Sequence, residues 1–239
     1  MGFIDLHSHV LPALDDGVKT LAESVTVVGM LGRLGFDVVC CTPHQKVGSW
    51  VPSGEAISKA RAEVVAALAD AHISVELRLG AENFWDELFL ERTRTDAQPT
   101  YTGERAFLVE VAPVATPPQL EEQLFRLRTR GRLPVLAHPE RYHGLCRQPE
   151  RLAAIGRTAA LVVDLGALAG AHGPVAGEAA QRLVRDGLAH ACASDVHSAE
   201  DADDAGAGIR WLQKKFGDSV VRRLLEENPR RILQGDLPD

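Results

Sequence analysis

The chain has 239 residues, 45% of them hydrophobic and 25% charged, enough for a sizeable core and inconsistent with disorder or a collagen-like repeat. With 26 Lys and Arg against 33 Asp and Glu, the formal charge of -7 argues against a broad basic surface for nucleic acid. Four cysteines, two adjacent at Cys40 and Cys41 and none in a C-x-x-C pair, fit a reducing compartment better than a disulfide framework.

In chain order, short β-branched or apolar runs alternate with longer runs of helical period. The pattern predicts a strand at 3–6, a helix at 21–34, a strand at 38–41, a helix at 53–71 and a strand at 75–79. It continues with a strand at 107–111, a helix at 118–129, a strand at 133–137, a helix at 149–157, a strand at 161–165, a helix at 174–186 and a strand at 189–193, then two helices from about 205 to 225. Ser53 reads as an N-cap, and Pro118 and Pro149 as first-turn prolines. Residues 1–4 run straight into Asp5 and His7 without the basic start and apolar run of a signal peptide. No apolar stretch approaches the roughly 18 residues of a membrane span, so the expected location is the cytoplasm. With no linker or internal repeat, one domain over 1–239 is the simplest organisation.

About seven β/α units match a TIM-like barrel in size, although an open doubly wound sheet gives a similar element string. The polar residues favour the barrel. At successive predicted strand ends stand His7 and His9, His44, Glu82, Glu110, His138, and Asp195 with His197. A barrel gathers all strand carboxyl ends on one face, whereas an open sheet spreads them along an edge.

His7 and His9, two apart in an extended chain, point to the same side, a spacing that grips a metal. Asp195-Val196-His197 pairs an oxygen with a nitrogen donor, a mixture suited to Mn, Fe or Zn. Glu110 interrupts the apolar run Phe107-Leu108-Val109-Glu110-Val111, where an unpaired carboxylate would be costly unless a cation neutralised it. Any single histidine at a strand end is more often structural than ligating; it is the joint placement that points to metal. His72 and His190 precede their strands and belong on the opposite face, His172 falls in a glycine-rich loop, and all three read as structural or solvent-exposed. His143 borders Arg141 in sequence and reads the same way.

Asp5-x-His7-x-His9, Asp15-Asp16-Gly17, Thr42-Pro43-His44, Gly80-Ala81-Glu82, Glu110, His138-Pro139-Glu140-Arg141-Tyr142 and Ser194-Asp195-x-His197 together resemble the PHP (polymerase and histidinol phosphatase) superfamily. Within it they are most similar to the bacterial protein-tyrosine phosphatases of capsule and exopolysaccharide loci, over nearly the whole chain. The resemblance implies a distorted (β/α)7 barrel with three metal ions, Mn first and Fe or Zn as alternatives. Carried over by motif, His7, His9, Glu82 and Asp195 would hold one metal. Glu82 would bridge to a second held by Glu110 and His138, while Asp16, His44 and His197 would hold a third, with Asp15 competing with Asp16. Arg141 would bind the substrate phosphate, where its planar fork matches two phosphoryl oxygens, the alternative being a surface salt bridge. His44 and His197 would assist proton transfer through water. The expected partner is a phosphotyrosine protein such as a bacterial tyrosine kinase, with no nucleic acid and with oligomerisation open. Two positions depart from the family pattern. Val18 replaces a proline after Asp-Asp-Gly, and an acidic stretch, Glu200, Asp201, Asp203 and Asp204, stands where a second phosphate-binding arginine is common, with Arg210 a candidate substitute.

The implied reaction is phosphomonoester hydrolysis by water, and a phenolate with a pKa of about 10 leaves without demanding a strong general acid. A cysteine phosphatase is disfavoured, because Cys146 is followed by Arg151, one position short of the required spacing. No G-x-S-x-G elbow, P-loop or G-x-G-x-x-G turn is present. The competing readings are a histidinol-phosphate phosphatase or other small-molecule phosphoesterase, and a metal-binding barrel without turnover.

Overall fold

The computed structural model describes residues 2–101 and 105–238. Strand β1 (Phe3–Ser8) leads through a loop into α1 (Leu21–Leu34), which Thr20 caps by accepting the N–H of Glu23 and which stops at Gly35 in the left-handed region. Then follow β2 (Phe36–Cys41), β3 (His44–Gln45), α2 (Gly54–Asp70), β4 (Glu76–Leu79), β5 (Glu82–Phe84) and α3 (Glu87–Arg94). The middle of the chain supplies β6 (Ala106–Glu110), α4 (Leu120–Thr129), β7 (Leu133–Ala137), a 3-10 turn at Pro139–Arg141, α5 (His143–Cys146) and α6 (Pro149–Gly156). Last come β8 (Ala160–Asp164), α7 (Leu165–Ala169), α8 (Gly173–Arg185), β9 (Ala191–Ala193), α9 (Ala199–Phe216), α10 (Asp218–Arg222) and, after a π-helical stretch at Arg223–Glu227, α11 (Asn228–Leu233).

All strand pairs are parallel, in the orders β1-β2-β4 and β3-β5-β6-β7-β8-β9. β3 continues β2 across Thr42-Pro43, and β5 continues β4 across Gly80-Ala81, so the two sheets share those strand positions. The far edges meet where Ser8 bridges Val196 and where the N–H groups of His9 and Asp195 donate to Val196 and His7 carbonyls, both at 2.9 Å. The chain thus has the α/β architecture of a distorted seven-position barrel.

Side-chain alternation sorts the strands into two cores. Ala106, Leu108, Leu133, Val135, Ala137, Ala160, Val162, Ala191 and Ala193 face one another inside the ring, with Ile232 and Leu233 of α11 in the same cluster. Their neighbours Phe107, Val109, Leu136, Leu161, Val163 and Cys192 face outward onto the helices. So many inward alanines suit a narrow ring. Gly208 of α9 permits a close approach to α7, since a Cβ there would collide with the Leu165 carbonyl. Among the described residues, no helix is long and apolar enough to cross a membrane.

Several sequence expectations shift. β3, β5, α5, α7 and α11 are too short for periodicity to register, α3 is a further helix outside the expected set although it is as long as α6, and α4 begins at Leu120 behind Gln119 in the left-handed region, beyond the expected Pro118. α9 starts at Ala199 rather than near residue 205, because Ser198 caps it by accepting the Asp201 N–H. The acidic stretch therefore opens a helix, where negative charge meets the positive end of the helix dipole. Val18 is buried, and its N–H and carbonyl close the preceding loop onto His9 and Ala13.

Candidate metal centre

The barrel places the strand carboxyl ends around one mouth. The inward row of β6, Ala106 and Leu108, continues into Glu110, so the carboxylate that interrupts an apolar run emerges among the histidines. His138 and Asp195 occupy the left-handed region, at φ 33° and 50°, turning the chain as it leaves β7 and β9. Such backbone strain is held in place by the surrounding structure and clusters at functional sites. Gly17 lets the Asp15-Asp16-Gly17 loop press on β1, as a Cβ there would strike the His9 carbonyl.

All nine residues expected to ligate metal come together in four overlapping groups: His9, Asp16, His44 and His197; His7, His9 and Asp195; His7, Glu82 and His138; and His44, Glu82 and Glu110. Within each, one donor atom per residue lies within 4.8 Å of the others. His7 Nε2 is 3.1 Å from His9 Nε2, 3.2 Å from Asp195 Oδ1 and 3.4 Å from Glu82 Oε2. Donors bound at about 2.1 Å to one ion stand roughly 3 Å or slightly more apart, so these spacings fit an ion among them. Glu82 Oε1 is 3.0 Å from His138 Nε2, and its Oε2 is 2.7 Å from His44 Nδ1 without forming a hydrogen bond. Glu82 Oε2, Glu110 Oε2, His44 Nδ1 and His138 Nδ1 are all buried with no hydrogen-bond partner among the described residues. Orphaned acceptors of this kind are costly unless a cation satisfies them, and the mixed nitrogen and oxygen set suits a transition metal.

The structure separates Asp15 from Asp16. Asp15 is buried, and its Oδ2 accepts from His9 Nδ1 at 2.8 Å and from the His44 N–H at 3.0 Å. It therefore holds the His9 ring with Nε2 free for the cluster, the usual work of a carboxylate behind a ligating histidine. Asp16 is exposed, with Oδ1 3.2 Å from His44 Nε2 and 3.7 Å from His197 Nε2. Burial opposes charge on Glu82, but His7, His138 and His44 hold its carboxyl well below the usual range. Glu110 moves the other way, pushed up by burial and by Glu82. Burial disfavours protonated His9, yet Asp15 and Glu82 raise it well above the ordinary histidine value. Asp5, buried beneath the cluster and pushed up to about 6 by burial, accepts from the backbone N–H and Oγ of Ser194 and ties β1 to the end of β9.

Beside the cluster opens a cleft of about 200 Å³ lined by Arg141, Asp164, His172, Asp195, His197, Asp201 and Asp204. Arg141 is no exposed surface bridge. Its Nη2 lies 2.5 Å from Asp164 Oδ2 and 2.7 Å from Asp195 Oδ2, while its Nε is buried without a partner. Arg141 also lines the cleft, where a guanidinium is suited to an anion. Arg210 does not line this cleft, and its guanidinium lies instead beside Gly206 and near Leu34.

Three residues escaped the sequence reading. His172, expected to be structural or solvent-exposed, lies 2.6 Å from Asp164 Oδ2 and 2.9 Å from Arg141 Nη2, because the loop before α8 folds back over β8. Asp164 itself interrupts an apolar run, the same signal that singled out Glu110. Trp50 stacks on His44 with ring centroids 5.4 Å apart, and nothing in the sequence pattern marks it. His143 joins a different cavity, with Cys146 and Arg182. His72 is exposed, and His190 lies at the opposite end of its strand from the mouth. All four cysteines are free and buried; burial pushes the Cys146 thiol up to about 11, so it offers no thiolate nucleophile.

Comparison with known proteins agrees with this geometry. The tyrosine-protein phosphatase YwqE of Bacillus subtilis (strain 168) is 29% identical over 235 residues, covering 97% of this chain and 91% of that protein. The tyrosine-protein phosphatase CpsB of Streptococcus pneumoniae is 24% identical, covering 98% and 99%. A solved structure described with YwqE and CpsB as "unique metal-dependent tyrosine phosphatases" superposes with a TM-score of 0.88 at 27% identity, over 98% of this chain and 95% of that one. A phosphotriesterase homology protein from Escherichia coli shares the fold, with a TM-score of 0.60 at 13% identity over 98% of this chain and 99% of that one. The sequence profile described as "Capsular polysaccharide synthesis, CpsB/CapC" matches residues 3–234, and the chain belongs to that family.

Proposed function

We propose that this chain is a metal-dependent protein-tyrosine phosphatase, a single catalytic domain acting in capsule or exopolysaccharide synthesis. The observation that carries it is the buried Glu82 carboxylate, with an oxygen that has no hydrogen-bond partner among the described residues and stands between the His7, His9 and His44 imidazoles, beside a cleft lined by Arg141. In this reading three ions, Mn first with Fe or Zn as alternatives, are held by His7, His9, Glu82 and Asp195, by Glu82, Glu110 and His138, and by Asp16, His44 and His197. Bound there, such ions lower the pKa of water toward neutrality and offset charge on phosphoryl oxygens.

The chain's own residues do the rest. Arg141 grips the phosphate, and Asp164, fixed at the end of β8, aims the guanidinium. Asp15 sets the His9 tautomer. His44 and His197, both beside the exposed Asp16, would assist proton transfer through water. The cellular substrate on this reading is a phosphotyrosine protein, a bacterial tyrosine kinase first, in the cytoplasm, where free buried cysteines are at home. Asp201 and Asp204 in the cleft wall favour one second reading, a compact phosphomonoester such as histidinol phosphate, because they repel an acidic peptide more than a small substrate.

Metal-loaded protein assayed on a phosphotyrosine peptide, histidinol phosphate and a dinucleotide tests this. Turnover of the peptide is expected, and inertness on all three would leave a non-catalytic metal-binding barrel. Arg141→Ala is expected to raise KM at least 10-fold with metal content unchanged, the loss of a charge-assisted contact. Metal loss in that variant would overturn the phosphate assignment.

A further inference from the structure

His172 comes from the short loop between Gly170 and Gly173 and stands on the cleft wall, 39% exposed at its side chain. Asp164 fixes it there. Oδ1 of that carboxylate accepts the Gly166 N–H at 2.7 Å and caps α7, so the group cannot rotate. Oδ2 then receives Arg141 Nη2 at 2.5 Å and His172 Nε2 at 2.6 Å, and the two cationic groups stand 2.9 Å apart. With Nε2 committed to Asp164, Nδ1 is the nitrogen without a protein partner among the described residues.

Other charged groups share the cleft: Asp195 and His197 after β9, Asp201 and Asp204 on α9, and Arg141 on the 3-10 turn. Among the described residues, only Asp164 makes an ion pair with His172. Its hydrogen bond raises the imidazole above the ordinary histidine value against the opposing effects of burial and of Arg141, which keeps a proton available near neutral pH.

We propose that His172 donates the proton to the departing oxygen of the phosphomonoester that Arg141 holds. The inference rests on the phosphatase reading above. In-line displacement puts the entering water and the leaving oxygen on opposite sides of phosphorus. Arg141 Nη2 touches Asp195 Oδ2 as well as Asp164 Oδ2 and His172 Nε2, and Asp195 Oδ1 faces His7, so a phosphate held by this guanidinium lies within reach of both the metal-ligand cluster and His172. Of the two histidines that line the cleft, His197 is a metal ligand in the reading above, which leaves His172 as the imidazole for the ester oxygen. Water oxygen bonds to phosphorus and releases a proton to solvent. The ester P–O bond breaks with its electron pair left on the departing oxygen, which takes the Nδ1 proton. The neutral imidazole is reprotonated from solvent, and Asp164 stays ionised, holding the ring as the carboxylate of a catalytic dyad does.

The proposal predicts a dependence on leaving group, because protonation helps a poor leaving group more than a good one. Metal-loaded wild type, His172→Gln and His172→Asn are assayed on 4-nitrophenyl phosphate, phenyl phosphate and a phosphotyrosine peptide, with metal content and Tm checked for each. Expected is a kcat loss of about 10²-fold on the peptide in both variants, little change on the nitrophenyl ester, and disappearance of the alkaline limb of the wild-type kcat profile. A uniform loss across the series, or a rise in KM alone, would make His172 a phosphate-binding cation and overturn the proposal. Wild type inert on every ester would instead remove the phosphatase reading itself.

Discussion

β9 is bounded by a half-buried and a buried polar side chain whose surroundings could hardly differ more. His190, just before the strand, has Nδ1 accepting the Leu161 N–H at 3.0 Å, its N–H donating to the Leu161 carbonyl at 2.9 Å and its carbonyl receiving Asn228 Nδ2 at 2.7 Å. Asp195, just after it, sits at a left-handed φ against Arg141 and the histidines of a cluster in which several acceptors have no partner. One end of the barrel is satisfied within the protein, with Ile232 and Leu233 packed into the adjoining core; the other is left incomplete. The contrast teaches that the fold is stabilised by the ring and its closed end, while the mouth keeps donor groups in reserve for a cation and a phosphate.

Three changes would break or sharpen that contrast. The largest expected effect is at the mouth: Glu82→Gln should cost about 10³-fold or more in turnover, several kcal/mol of charge stabilisation, together with bound metal measured by elemental analysis. Unfolding of its metal-free form at neutral pH should be easier than in wild type, since His7, His138 and His44 favour the carboxylate charge and lose it as a partner. Retained metal and activity would mean that the orphaned oxygen serves no cation. In the body of the fold, Gly208→Ala should destabilise by about 2 kcal/mol in urea titration, because its methyl group meets the backbone of α7, with metal per folded molecule unchanged. Equal metal loss in this variant would show that mouth and body are not separable.

The last effect, no larger than that of Gly208→Ala and confined to acid, belongs to His190. Burial lowers it to about 4, below its unfolded value, so as pH falls from about 6.5 toward 4 the unfolded chain takes up a proton that the folded chain refuses. Stability contributed by the neutral ring is complete above pH 6.5 and is lost over that window, roughly 2 kcal/mol by pH 4.5 after allowance for its partial exposure. His190→Asn, whose side-chain oxygen can still accept the Leu161 N–H, should lessen the drop in urea stability between pH 7 and pH 4.5. An unchanged drop in metal-free protein would refute that account.

Much of the fold was legible because long elements carry their own period. α1 and β7 fall at their expected bounds, while β3 and β5, two and three residues long, could not announce themselves. Much of the site was legible for a different reason: Asp5-x-His7-x-His9 and Asp195-x-His197 are local motifs, and Glu110 betrays itself by breaking an apolar run. The same rule would have found Asp164 had it been applied to β8.

Sequence by itself determined the alternation of strand and helix, the acidic balance, and the set of imidazoles and carboxylates at strand ends, because periodicity and local spacing are properties of neighbouring residues. Only the tertiary structure decided that Asp15 stands behind His9 while Asp16 faces His44, and that His172 reaches Asp164 and Arg141. Those choices depend on how a loop folds over a strand far from it in sequence, and hydrophobic pattern carries no signal for where a side chain in a glycine-flanked turn will point.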